Sequence, residues 1–166
     1  MPEVFLGLGS ARDRERHLPA ALAELARLFG PLKVSSLYET AAVGFAGPAF
    51  HNLVVACETA LPPAALLPLL KTIEDRQGRV RQTDPPVPPT LDIDLLLYGD
   101  VVMEEGKLKL PRGDILRHAF VLEPLAEIAP DHRHPVDGRR YAELWAAFDK
   151  AGLARTRLPT PWGRGE

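Results

Sequence analysis

The stretch TLDIDLLLYG, residues 90–99, sets two carboxylates into an otherwise apolar run. Strand side chains alternate between faces, so Leu91, Ile93, Leu95 and Leu97 are predicted to share one face. Thr90, Asp92, Asp94 and Leu96 take the other. Aspartate is depleted in strands, and like charges side by side repel. Such a strand must bury its apolar face and turn the other toward cations. Those cations are either arginines of the same chain or a divalent ion, since Mg²⁺ accepts one or two carboxylates plus substrate phosphates. The stretch alone leaves both readings open.

Upstream, IEDRQGRVRQ carries Arg79 and Arg81 just past a helix end. Guanidinium forks suit phosphate oxygens. Alone, an R-x-R pair reads as solvated surface. With D-x-D following in a strand, it reads as a triphosphate-and-metal constellation. Glu74, on the same helix, has Gly78 at i+4 and so lacks a basic partner there. A second group lies in SSLYETAAVGFAGPAFHNLVV, where Phe50 and Asn52 share one strand face and Thr40 ends the preceding strand. Asn52 offers a donor and an acceptor together, which suits the amide edge of a heterocycle, and Phe50 offers a stacking surface. A capped turn with a core phenylalanine accounts for these residues more simply when they are taken alone.

The remaining chain places these groups on a scaffold. EVFLGLGS reads as a strand ending near Gly9, and residues from about Arg14 to Phe29 as a helix buried through Leu18, Ala21, Leu22, Leu25 and Leu28. Pro19 sits either in its first turn or at a kink. LKVSSLYET and FHNLVVACETA read as two strands, and PPAALLPLLKTIEDRQG as a second helix. VVMEEGKLKL suits a short hairpin, followed by helices in AFVLEPLAEIAP and YAELWAAFDK. The tail from about residue 154 to 166 is expected to be loosely ordered. Strand and helix alternate as β-α-β-β-α-β, so the expected class is α+β, a ferredoxin-like antiparallel sheet with additional C-terminal helices and a short hairpin.

Composition narrows the function classes. A chain of 166 residues with net charge −2 fits one domain and advertises no nucleic-acid surface. An RNA-binding sheet of this class would display aromatic and basic residues on its open face, where this one displays aspartates. Cys57 is the only cysteine, so no internal disulfide forms, and a reducing, cytoplasmic setting is expected. No apolar run reaches the length of a membrane span, and the first residues lack a signal-peptide pattern.

Taken in order, GLGS, VSSLYET, FHNLVVACET, IEDRQGRVR, TLDIDLLLYG and AFVLEPLAEIAPD resemble the 6-hydroxymethyl-7,8-dihydropterin pyrophosphokinases of the folate pathway. The resemblance runs from LGLGS to about AFDK. It implies a single Mg²⁺-dependent diphosphotransferase domain over residues 1–166. Such an enzyme moves pyrophosphate from ATP to the pterin hydroxymethyl group, releases AMP and uses two Mg²⁺ ions. Small-molecule substrates, a monomer, and no nucleic-acid or membrane partner are expected. By the same resemblance Asp92 and Asp94 match the metal ligands, and Asn52, Thr40 and the backbone of Ala41 and Val43 the polar contacts to the pterin. Phe120 and Phe50 match its stacking partners. Arg79 and Arg81 match loop arginines beside ATP, while Lys71, Glu74 and Leu95 match positions flanking the nucleotide. Loops 41–49 and 82–90 are expected to close over the substrates.

The chain departs from the family pattern around the phosphates. Ala11 replaces an asparagine, Pro89 an arginine, and Arg112 a histidine; the usual Arg-Ala/Gly-Phe reads His118–Ala119–Phe120, with Arg117 one place earlier. Arg112, Arg117 and His118 are therefore the candidate nucleotide contacts on that side. These departures leave one alternative, a degenerate relative that binds pterin or ATP without transfer.

Overall fold

The described residues, 1–40, 49–81 and 87–159 of a computed structural model, build a mixed α/β domain. The chain runs β1 (Glu3–Ser10), α1 (Arg14–Phe29), β2 (Lys33–Val34), β3 (Leu37–Thr40), β4 (Phe50–Glu58) and α2 (Pro63–Arg76). It continues through β5 (Asp92–Tyr98), β6 (Met103–Glu105), β7 (Leu108–Leu110), α3 (Asp114–Arg117), α4 (Ala119–Ile128), α5 (Tyr141–Ala147) and β8 (Arg155–Leu158). The main sheet has the order β5-β1-β4-β3-β8, with β2 also on β4, and every pairing is antiparallel. β6 and β7 form a separate hairpin.

The two sheet faces carry two cores. On one, Leu6 and Leu8 of β1, Leu53 and Val55 of β4, and Ile93 and Leu95 of β5 meet Leu18 and Leu25 of α1 and Leu66, Leu70 and Ile73 of α2. On the other, Phe5, Val54, Leu96 and Leu97 meet Ile115, Val121, Leu122, Leu125 and Leu144 from α3, α4 and α5. Both helices on the first face tolerate an internal proline, Pro19 and Pro68. Leu28, expected on the buried stripe of α1, is exposed instead.

Three local departures from the sequence pattern have identifiable causes. The strand expected over LKVSSLYET is split, because Ser35 Oγ accepts from Val54 N at 2.9 Å and its hydroxyl takes a ladder position. Strict alternation in β5 ends at a register shift opposite Phe5 and Leu6, so Leu97 leaves the face of Leu95 and joins Leu96 in the second core. Part of the tail expected to be loose, Arg155 to Leu158, pairs with β3, with Thr40 opposite Arg155 and Tyr38 opposite Arg157, while residues 160–166 lie outside the described residues.

Candidate active site

Phe5, Gly7 and Gly9 of β1 alternate toward the second core, but only Phe5 fills it. The two glycines leave a cavity of about 310 Å³ between the strand ends and α4. At one end stand Thr40, Phe50, Asn52 and Phe120; at the other, across β1, stand Asp92, Asp94, Arg112 and Asp114, and Leu96 of β5 also lines the space.

The first end is flat and polar at its rim. Asn52 is buried and donates from Nδ2 to Thr40 Oγ1 at 2.9 Å. A Cβ on Gly9, its register partner, would stand 3.0 Å from Asn52 Oδ1. The glycine therefore leaves the amide room, a known use of glycine within strands. His118, at the N-cap of α4, stacks on Phe120 with ring centres 4.7 Å apart and fixes the plane of that wall.

The other end is acidic and laced with arginine. Asp92 and Asp94 face the cavity together, as period two requires. Arg79 Nη1 donates to Leu91 O at 2.8 Å and to Asp92 Oδ1 at 3.3 Å. Arg112 meets Asp94 Oδ1 at 3.5 Å through Nη2 and Asp114 Oδ2 at 3.4 Å through Nε. Burial pushes the Asp94 carboxyl up to about 7; the charge of Asp92 adds to this and that of Arg112 opposes it. Each aspartate is thus paired with an arginine.

Glu74 is buried and far from a surface role. Its Oε2 accepts from Ile93 N at 2.7 Å, the amide lying between the two aspartates, and its other oxygen accepts from Arg81. Arg81 also pairs with Asp75. Burial raises the Glu74 carboxyl, while the Ile93 amide and the arginines hold it down. The helix α2 is in this way pinned to the middle of the D-x-D segment.

Other sequence candidates fall elsewhere. Leu95 packs in the α1/α2 core, and Leu96 lines the cavity instead. Lys71 is exposed on α2. Arg117 is exposed and bonded to Gly113 O and Asp114, both at 3.3 Å. Ala41 and Val43 lie outside the described residues, as do 41–48 and 82–86 of the two expected closing loops. Pro89 is described, and its carbonyl accepts from Ala11 N at 2.9 Å. Gly7, Gly9 and Asp114 are cavity residues that sequence reasoning missed. Glycines inside an apolar strand were the available signal for the first two; Asp114 offered none beyond its charge.

Comparison with known proteins identifies the family. The family model of 7,8-dihydro-6-hydroxymethylpterin-pyrophosphokinase (HPPK) matches residues 5–130. A 2-amino-4-hydroxy-6-hydroxymethyldihydropteridine pyrophosphokinase of Pseudomonas aeruginosa is 43% identical over 157 residues, covering 92% of this chain and 95% of the relative. One of the same name from Aquifex aeolicus is 36% identical over 138 residues, covering 82% and 86%. Among solved structures, Plasmodium falciparum HPPK-DHPS superposes with a TM-score of 0.70 at 16% identity, over 87% of this chain. This chain spans 41% of that longer one, and the likeness bears on fold alone. With the family model matched over residues 5–130 and relatives this similar along nearly their whole length, the chain belongs to the 7,8-dihydro-6-hydroxymethylpterin-pyrophosphokinase family.

Proposed function

We propose that the chain transfers the pyrophosphoryl group of ATP to the hydroxymethyl group of 6-hydroxymethyl-7,8-dihydropterin, releasing AMP, as a cytoplasmic monomer in folate biosynthesis. One observation carries the reading: a single cavity joins Asn52, Thr40 and Phe120 to Asp92 and Asp94. The sheet order β5-β1-β4-β3, with α1 and α2 on one face, supports a ferredoxin-like topology for the core.

The donor set suits Mg²⁺. Asp92 and Asp94 are hard oxygen donors facing one space, with Asp114 on the same lining. Mg²⁺ takes one or two carboxylates and completes its shell with water and phosphate oxygens. Two ions bound by Asp92 and Asp94 would supply charge neutralisation along the triphosphate and acidify the attacking hydroxyl.

The chain's own residues do the rest. Phe50 and Phe120 hold the ring plane, while Asn52 and Thr40 read its amide edge and aim the hydroxymethyl group toward the acidic end. The hydroxymethyl oxygen forms a bond to the β-phosphorus as the bond from that phosphorus to the α,β-bridging oxygen breaks. The hydroxyl proton passes to solvent water, and AMP leaves with the bridging oxygen. Positioning and charge stabilisation dominate such a transfer. Arg79 and Arg112, each paired with an aspartate, swing to phosphate oxygens when those aspartates are otherwise neutralised. Arg81 adds a third guanidinium from the same side.

AMP release from ATP, Mg²⁺ and the hydroxymethyldihydropterin, followed by chromatography, tests the reading. One AMP per pterin diphosphate is expected, and chelation of the metal should stop it. Absence of AMP overturns it. Asp92→Asn and Asp94→Asn should each nearly abolish transfer while pterin binding persists, because Asn52, Phe50 and Phe120 are untouched.

A further inference from the structure

The strand β8 lies along the outer edge of β3, and its two arginines point to the cavity side of the sheet. Residues opposed across an antiparallel pair share a face, so Arg155 sits beside Thr40 and Arg157 beside Tyr38. Arg155 Nε donates to Glu123 Oε1 of α4, and its guanidinium lies 5.2 Å from the Trp145 ring centre of α5. Arg157 Nη2 donates to the Tyr38 hydroxyl at 2.9 Å, and that hydroxyl donates to Glu127 Oε1 at 2.9 Å. The Glu127 carboxylate also accepts from Ser36 N at 2.9 Å and Ser36 Oγ at 2.7 Å.

These bonds join the two walls of the cavity. Thr40 ends β3, and Phe120 stands one helical turn before Glu123 on α4. Neither arginine is among the residues lining the cavity. Both are held by carboxylates or a hydroxyl of the wall elements. Without β8, β3 would be a four-residue edge strand, paired on one side only.

We propose that β8 is a clasp that sets the separation of the Thr40 and Phe120 walls, with Arg155 and Arg157 as positioning residues for the flat ring held between them. The proposal rests on the pterin reading above and adds to it a part of the chain outside the matched segment 5–130. Its energetic content is a population effect. When the aligned pocket is only a fraction of the molecules, apparent affinity falls by that fraction.

The test uses the full chain with Arg155→Ala, Arg157→Ala, Arg155→Lys and Glu123→Gln. Fluorescence titration with 6-hydroxymethyl-7,8-dihydropterin is compared with titration of a non-hydrolysable ATP analogue plus Mg²⁺. The pterin Kd should rise about tenfold in either alanine variant, the fall expected if about one molecule in ten stays aligned. The analogue Kd should move less than about twofold on the same argument. Arg155→Lys should recover part of the loss, and Glu123→Gln should reproduce it if the alanine variants fail to fold. Turnover at saturating pterin should be retained, giving a KM effect over a kcat effect. An unchanged pterin Kd with a lowered melting temperature would reduce β8 to a stabilising strap and overturn the clasp, as would equal losses for both ligands. A wild-type chain that binds no pterin overturns the functional reading itself, and the clasp's ligand with it.

Discussion

Gly9 and Asn52 face each other across β1 and β4, and the absence of a side chain on one sets the pose of the other. Gly9→Ala puts a methyl 3.0 Å from Asn52 Oδ1, so the amide must shift by a few tenths of an ångström. Pterin affinity should fall about tenfold, the scale of one displaced polar contact, with ATP affinity unchanged. Asn52→Ala should cost about 1–3 kcal/mol of pterin binding, the usual penalty for an unpaired polar group. Fluorescence titration measures both. Asp94 adds a pH dependence. Its folded pKa is raised above the unfolded value of 3.8, so protonation favours the folded, metal-free chain. That contribution is complete below the unfolded pKa and is lost as pH rises through about 7. The metal-free protein should therefore melt higher as the buffer is taken from about pH 8 to about pH 5, relative to Asp94→Asn, while Mg²⁺ protects less. Equal slopes for the two proteins would remove the assignment. The shared face of Asp92 and Asp94 was legible in the sequence because period two is a local rule. The role of Gly9 was not, since it depends on a partner more than forty residues away.

At the scale of elements, α2 holds β5 through one carboxylate. Glu74→Ala removes the acceptor of Ile93 N and a partner of Arg79 and Arg81. Transfer should fall more than pterin binding, because the D-x-D segment loses its anchor while Asn52 and Phe120 keep theirs. Glu74→Gln, which retains an acceptor, should be milder, and steady-state kinetics separate the two. On the proposed reading, a relocated phosphate grip falls to Arg112 and not to Arg117. Arg112 lines the cavity on Asp94, whereas Arg117 is exposed and turned to Gly113 and Asp114. Arg112→Ala should then lower turnover on the order of 10²-fold, the usual loss for one charge-stabilising donor, and Arg117→Ala should do little. Pro89→Arg should be neutral or harmful, since it loosens a proline-stiffened segment tied to Ala11. The β-α-β-β-α-β order of the chain's first hundred residues and the bounds of α1 followed from apolar periodicity and its turn signals. The bulge in β5 did not, because LLL reads the same on either face. β8 was hidden by its length and polarity, since RTRL gains a strand's stability from partners distant in sequence: Tyr38, Glu123, Trp145, the first core through Leu158 and the edge of β3.

Across the whole molecule, one sheet separates a filled core from a notched one. Apolar residues of β1 complete the α1/α2 side, while Gly7 and Gly9 leave the α3–α5 side short of two side chains beside Phe5. The helix-to-sheet arrangement was foreseeable from alternating elements; which face would be left incomplete was not, because composition does not reveal which residues meet across layers. The notch gives the substrate a second part to play. On the proposed reading, a flat ring seated over Gly7 and Gly9, against Leu96 and Phe120, would take the place of the side chains β1 omits and so belong to the folded architecture as much as to the reaction. Pterin at about a hundredfold over its Kd should then stabilise the chain by about 2.7 kcal/mol, raising its melting temperature with no catalysis required.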